Sequence, residues 1–190
     1  MLAYVFWHWP KPELKPALYE PALKLYHARL GDAGAEGFQG SFVFKIEGAP
    51  WLRDGRGYED WYLVEASFAL DTLNEVAVSG SLRKPHDEVA RGVAGMAAGL
   101  YRLRAGDQKL REAVTAVWLS KGGASYPEFD AAMAEWTGRP GVSLWRRQMV
   151  LGPTPEFCLC GPDGLAPPAR YSPIAVRRQV VWPEPAAEQS

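Results

Sequence analysis

The sequence predicts an α+β fold: two tandem half-barrels, built from short strands and helices, closing into one antiparallel barrel within a single chain. Three observations predict it. The order strand, helix, strand, strand occurs twice along 190 residues. The strand-like runs are short and are bounded by Pro- and Gly-rich segments. The composition, 47% hydrophobic and 23% charged, is that of an ordinary globular chain with material for one sizeable core or two small ones.

Taken in order, Ala3 to Trp9 is apolar, aromatic and β-branched, and reads as a strand. Pro10, Pro12 and Pro16 punctuate a loop. Leu18 to Leu30 reads as a helix burying Tyr19, Leu23, Tyr26 and Leu30, with Gly31 as its stop. Phe38 to Ile46 is a second strand, followed by a loop from Glu47 to Gly57. The organising stretch is Tyr58 to Ser79, a strand running almost directly into a helix. Its alternation puts Trp61, Leu63 and Glu65 on one face and Tyr62, Val64 and Ala66 on the other. Ser67 suits a helix N-cap and Gly80 a stop. His86 to about Arg104 reads as a longer helix, with its small residues from Gly92 to Gly99 allowing close packing. Strands over Glu112–Ser120, Ser143–Leu151, Glu156–Cys160 and Ile174–Trp182, and a helix over Tyr126–Trp136, complete the chain. Residues 183–190 read as a flexible tail.

Weak self-similarity accompanies the order of elements. Phe6-Trp7 matches Val117-Trp118, Phe42 to Ile46 matches Trp145 to Met149, and Trp61 to Val64 matches Phe157 to Cys160. The predicted units are residues 1–110 and 111–182. A strand–helix–strand–strand–helix order is the ferredoxin-like unit, whose sheet carries helices on one face only. Two such sheets cover their bare faces by closing into a barrel. Over residues 2 to 182 the chain resembles the dimeric α/β-barrel superfamily, with both halves fused. Within it, WYLVEASFALDTLNEVAVS is similar to the strand-to-helix segment of antibiotic-biosynthesis-monooxygenase-like families. The resemblance implies a central cavity and matches Glu65 to a glutamate often found in that strand. The histidine those families often carry in the next helix is replaced here by Asn74.

Several function classes lose support at once. A net charge of −1 removes the main argument for nucleic acid, which needs a basic surface. No apolar run approaches the roughly 20 residues that span a bilayer. MLAYVFWHWP lacks a basic start and a small-residue cleavage site, so no secretory signal is expected. Cys158 and Cys160, two apart on one strand, suit a disulfide poorly, and a reducing cytoplasm is expected. No metal site is expected, because the cysteines lack a second pair and the histidines lack ligand spacing. The resemblance brings haem-handling relatives into view, but the second half has no histidine to serve as an axial ligand. No cofactor is expected. Phosphate-loop, dinucleotide and serine-hydrolase motifs are missing.

The candidates for chemistry are few. His8, between Trp7 and Trp9, suits a general acid or base, or else a rim residue bonded to backbone. His27 is expected to be exposed and His86 to sit at a helix terminus. Glu65 either lines a wet cavity or faces solvent. Arg146 with Gln148, and Arg177 with Gln179, share one face of their strands, while Arg147 and Arg178 share the other. An inward arginine of the first set could hold a carboxylate or phenolate; the bland alternative is edge strands guarded by charge. Tyr4 and Trp61 are the expected pocket walls.

Two readings of function follow. The first is a small-molecule-binding barrel, a cofactor-independent oxygenase or isomerase for an aromatic or acidic metabolite. Its catalytic residues would be His8 and Glu65, and its ligand-binding residues Tyr4, Trp61, Arg146, Gln148, Arg177 and Gln179. The second is a non-catalytic assembly or regulatory module with a side-chain-filled barrel, acting through Trp51 and the 161–168 loop. The fused halves make a monomer self-sufficient, and a homodimer is the alternative.

Overall fold

The computed structural model describes residues 1–108, 110–149 and 152–183. Eight strands and four helices make up the fold, in the order β1 (Leu2–Pro10), α1 (Pro16–Asp32), β2 (Phe38–Glu47), β3 (Arg56–Val64), α2 (Phe68–Ala77), α3 (Arg83–Gly92), β4 (Val93–Gly106), β5 (Thr115–Leu119), α4 (Tyr126–Thr137), β6 (Ser143–Arg147), β7 (Phe157–Gly161) and β8 (Ile174–Trp182). The strands close into one antiparallel barrel in the order β1, β3, β2, β8, β5, β7, β6, β4. The four strands of residues 2–106 therefore lie side by side, as do the four of residues 115–182, and the two half-barrels meet at β2–β8 and β4–β6.

One expected element is corrected. The stretch read as a helix from His86 to Arg104 is α3 ending at Gly92, followed by the long strand β4. Ala and Gly at six of eight positions from Gly92 to Gly99 suggested tight helix packing. In the barrel they make room for aromatic rings. A Cβ at Gly95 would lie 2.1 Å from the Trp9 ring, and one at Gly99 would lie 2.7 Å from Tyr101. The sheet and its rings override a local preference that is weak in any case. The strand expected to reach Leu151 ends at Arg147, and Val150 and Leu151 lie outside the described residues, as does the tail from Glu184 onward.

The helices lie on the outer surface. Helix α1 buries Tyr19, Leu23, Tyr26, His27 and Leu30, the predicted stripe with His27 added. Helix α4 begins with a reciprocal cap: the Ser125 hydroxyl accepts from the Glu128 N–H, and the Glu128 carboxylate accepts from the Ser125 N–H. It buries Phe129 and Met133 against the second half.

The barrel interior is packed with side chains. Trp7, Trp61, Trp118 and Trp145 are all fully buried there. Their rings join the halves: Trp7 meets Trp118 at 5.4 Å and Trp61 meets Trp145 at 5.2 Å, both edge-on. Trp51, expected as a surface contact, packs edge-on against Trp118 at 5.4 Å and against Trp7 at 6.0 Å. It is part of the lining of the barrel.

Among the described residues the interior also holds one ion pair between fully buried side chains. Arg178 of β8 donates to Glu59 of β3 at 2.5 Å, with both side chains fully buried. Glu59 accepts in addition from the indole N–H of Trp7 at 2.7 Å and of Trp61 at 2.8 Å. The Arg178 guanidinium lies over the rings of Phe44 and Trp61, at 4.7 and 5.2 Å. Burying both charges is expensive, and removing one strands the other. Arg178→Met is therefore expected to lower stability by about 3–5 kcal/mol in urea unfolding. The double variant Glu59→Gln/Arg178→Met should recover a large part of that loss, because no unpaired charge remains.

Candidate functional site

Strand β3 positions the site. Its alternation sends Glu59 and Trp61 into the barrel and Tyr58, Asp60 and Tyr62 outward beneath the helices. Asp60 is nearly inaccessible, yet it touches no lysine or arginine among the described residues. Two histidines and a tyrosine hold it instead. His8 Nε2 donates to Asp60 Oδ1 at 3.2 Å, and His27 Nε2 donates to Oδ2 at 3.4 Å. The Tyr62 hydroxyl donates to Oδ2 at 3.2 Å.

The outer ends of the two imidazoles are also tied down. The Tyr19 hydroxyl lies 2.9 Å from His8 Nδ1, and the Ser41 hydroxyl lies 2.8 Å from His27 Nδ1. An ionised carboxylate only accepts, so each Nε2 carries a proton. Each Nδ1 in turn shares a hydrogen bond with its hydroxyl. The rings are clamped as well. Tyr58 and Phe6 stack on His8 at 5.5 and 5.3 Å, and Tyr62 stacks on His27 at 5.2 Å.

Burial alone would raise the Asp60 pKa. The charge and hydrogen bonds offered by His8 and His27 outweigh it and hold the carboxyl well below the usual carboxylate range. Burial pushes the Tyr62 hydroxyl far up, and the nearby Asp60 charge adds to this. Tyr62 therefore stays protonated and remains a donor.

Above this network opens a cleft of about 560 Å³ between β1 and β3 on one side and α1, α2 and α3 on the other. Asp60 and Tyr62 line its floor. Phe6, Leu30, Leu73 and Val89 are among its apolar walls, and Asn74 and His86 stand at its margin. The volume falls within the range of small-molecule sites.

The sequence-derived candidates are distributed unevenly. His8 is in the network, and Tyr4 lines the cleft. Trp61 is buried inside the barrel, with its N–H on Glu59. Glu65 lies exposed just past the end of β3. The arginines face the other way from the expected one: Arg178 points inward, while Arg177 and Gln179 are exposed. Arg146 lies outside over the Tyr126 ring at 3.9 Å and donates to Glu156 at 2.9 Å. Gln148 accepts from Arg102 at 3.2 Å beyond the end of β6. The structure thus brings His8 and Tyr4 to one region and does not bring Glu65 or Arg177 there.

Asp60, His27 and Tyr62 were missed as site residues. His27 was expected to be exposed and is 1% exposed. Its spacing carried the signal, since it lies four residues after Leu23 and three before Leu30, on the buried stripe of α1. Asp60 was discoverable as a carboxylate inside the aromatic run Tyr58 to Tyr62.

The fold is a closed eight-stranded antiparallel barrel with helices on its outer face. Among solved structures the chain is similar to an anthrone oxidase-like protein, at 11% identity and a TM-score of 0.46, over 94% of this chain and 90% of that one. A candidate chlorite dismutase aligns at 10% identity and a TM-score of 0.48, over 95% of each chain. A protein from Arabidopsis thaliana aligns at 13% identity and a TM-score of 0.45, over 56% of this chain and 99% of that one. No protein-family model matches the sequence. No curated protein matches it either.

The depressed Asp60 pKa has a consequence for stability. Its unfolded value is near 3.9, and its folded value lies below that. The folded state therefore holds the charged form more strongly. Its contribution is complete above about pH 5 and is lost as the pH falls through and below the unfolded value. Urea unfolding between pH 7 and pH 2 should show a steep acid decline. Asp60→Asn should lower stability at pH 7 and make that decline shallower.

Proposed function

We propose that the chain binds a small molecule with an aromatic or other apolar body in the outer cleft, and presents it to the Asp60–His8–His27 network. The observation that carries this reading is the position of Asp60: a buried, ionised carboxylate lining a mostly apolar cleft. Such a group orients a ligand by accepting its N–H or O–H, while the walls supply affinity through burial. The filled barrel interior directs the search to this outer cleft.

The network also suits acid–base chemistry without a cofactor. A ligand proton would pass to Asp60 Oδ1 and leave the ligand as its anion; the bonds from His8 and His27 that keep Asp60 ionised make it a weak base, so the proton it takes must itself be acidic. Tyr19 and Ser41 fix the orientation of those rings. The enzyme class this supports is a cofactor-independent oxygenase or isomerase acting on an aromatic metabolite. The acidic alternative relied on Arg146 and Arg177, neither of which lines the cleft. We also read the chain as two fused units, residues 1–110 and 111–182, a division supported by the strand order. In this reading the first unit carries the site, and the second completes the barrel.

The second reading, a non-catalytic module, is favoured by one observation: the tryptophans that fill the interior. The two readings differ in what the cleft does. Ala77 is half-buried on the cleft wall, so Ala77→Trp should fill it without touching Asp60. Native mass spectrometry of freshly purified protein, beside its absorption spectrum, is expected to show a retained or added small molecule in the natural chain and not in Ala77→Trp. Identical ligand uptake by both proteins would place binding elsewhere and favour the module reading.

A further inference from the structure

The cleft offers more than a volume, because its lining carries one carboxylate amid aromatic and apolar side chains. Asp60 is the only carboxylate among the described lining residues, and no lysine or arginine is among them. A carboxylate has about four acceptor positions on its two oxygens. Three are taken, two at Oδ2 by His27 and Tyr62 and one at Oδ1 by His8. Among the described residues these bonds leave one acceptor position, on Oδ1, without a side-chain partner. The rings of Tyr4, Phe6, Tyr26 and Tyr62 also line this space.

We propose that the cleft selects a hydrophobic ammonium ion, a primary or secondary amine on an apolar body, whose N–H is donated to Asp60 Oδ1 while aromatic faces surround the charge. This rests on the reading of the cleft as a ligand site. Three physical arguments lead to the cation. First, Asp60 is the only carboxylate among the described lining residues and no lysine or arginine accompanies it, so a cation meets an opposite charge at the cleft surface and an anion a like one, in a poorly screened site. Second, aromatic faces attract an ammonium through the ring quadrupole, and the attraction grows when water is excluded. Third, Asp60 is already desolvated in the folded chain. Only the ammonium loses water on entry, which halves the usual obstacle to a buried ion pair. A neutral alcohol can fill the same acceptor position but gains neither the charge pairing nor the ring attraction.

The test compares three ligands of similar body by isothermal titration calorimetry at pH 7: 2-phenylethylamine, 2-phenylethanol and 3-phenylpropanoate. The amine is expected to bind about tenfold or more tighter than the alcohol, with the acid weakest. Asp60→Asn should bring amine and alcohol within about threefold of one another, since the ion pair is gone. If that variant loses its circular-dichroism signature, the comparison on the natural chain still decides. An alcohol or acid that binds as tightly as the amine overturns the ammonium inference. If Ala77→Trp abolishes that binding, the cleft remains the ligand site. Amine binding that survives Ala77→Trp overturns both the inference and the cleft. No binding by any of the three at millimolar concentration also overturns both.

Discussion

Two neighbouring carboxylates on one strand set the terms for the rest of the molecule. Glu59 and Asp60 are both buried, and the alternation of β3 sends them to opposite faces. Each must find partners, because a buried charge without them is not tolerated. Inside the barrel, Glu59 takes Arg178 from the far half and two indole N–H groups from its own. Outside, Asp60 takes two histidines and a tyrosine. A slip of one residue in the register of β3 would exchange the two environments and satisfy neither.

The two solutions differ in kind, and the difference separates structure from candidate function. The Glu59 side is closed. Its strong cation comes from a strand more than a hundred residues away, so the pair ties one half-barrel to the other and fixes their register. Tryptophans fill the surrounding space. The Asp60 side is open at one end. Its partners come from β1, β3 and α1, all in the first half, and they are groups that can exchange protons. A cleft leads down to it. A locked guanidinium pair does little chemistry, whereas a carboxylate between imidazoles at a cleft can orient a ligand.

Much of the fold was legible because its signals are local. Alternation in β3 and the stripe of α1 are written in adjacent residues. The two-half arrangement followed from the order of elements. What was not legible depended on distant packing. Gly95 and Gly99 look like helix-packing residues until the rings of Trp9 and Tyr101 are placed against them. The choice between Arg177 and Arg178 required knowing which face of β8 meets the interior, and alternation fixes only that the two differ. Glu65 stood out because it interrupts an apolar run, but the strand ends at Val64 and leaves it in solvent. Asp60 and Glu59 sit near the strand's beginning, and the aromatic residues around them are what buries them. His8 was chosen for its chemical type and lies in the network for a geometric reason: it pairs across the sheet with Tyr58, two residues before Asp60 on the same outer face.

The central claim is that ligands enter the outer cleft over Asp60 and leave the barrel interior untouched. The chain contains three histidines, and His8, His27 and His86 all belong to that outer region. The tryptophans Trp7, Trp61, Trp118 and Trp145 mark the interior. The most direct measurement is a nuclear magnetic resonance titration of the isotope-labelled chain with 2-phenylethylamine and with 2-phenylethanol, following imidazole and indole signals together. The account predicts saturable shifts of the His27 and His86 imidazoles while the four interior indole N–H signals stay in place. Shifts confined to the indoles, with the imidazoles unmoved, would contradict it.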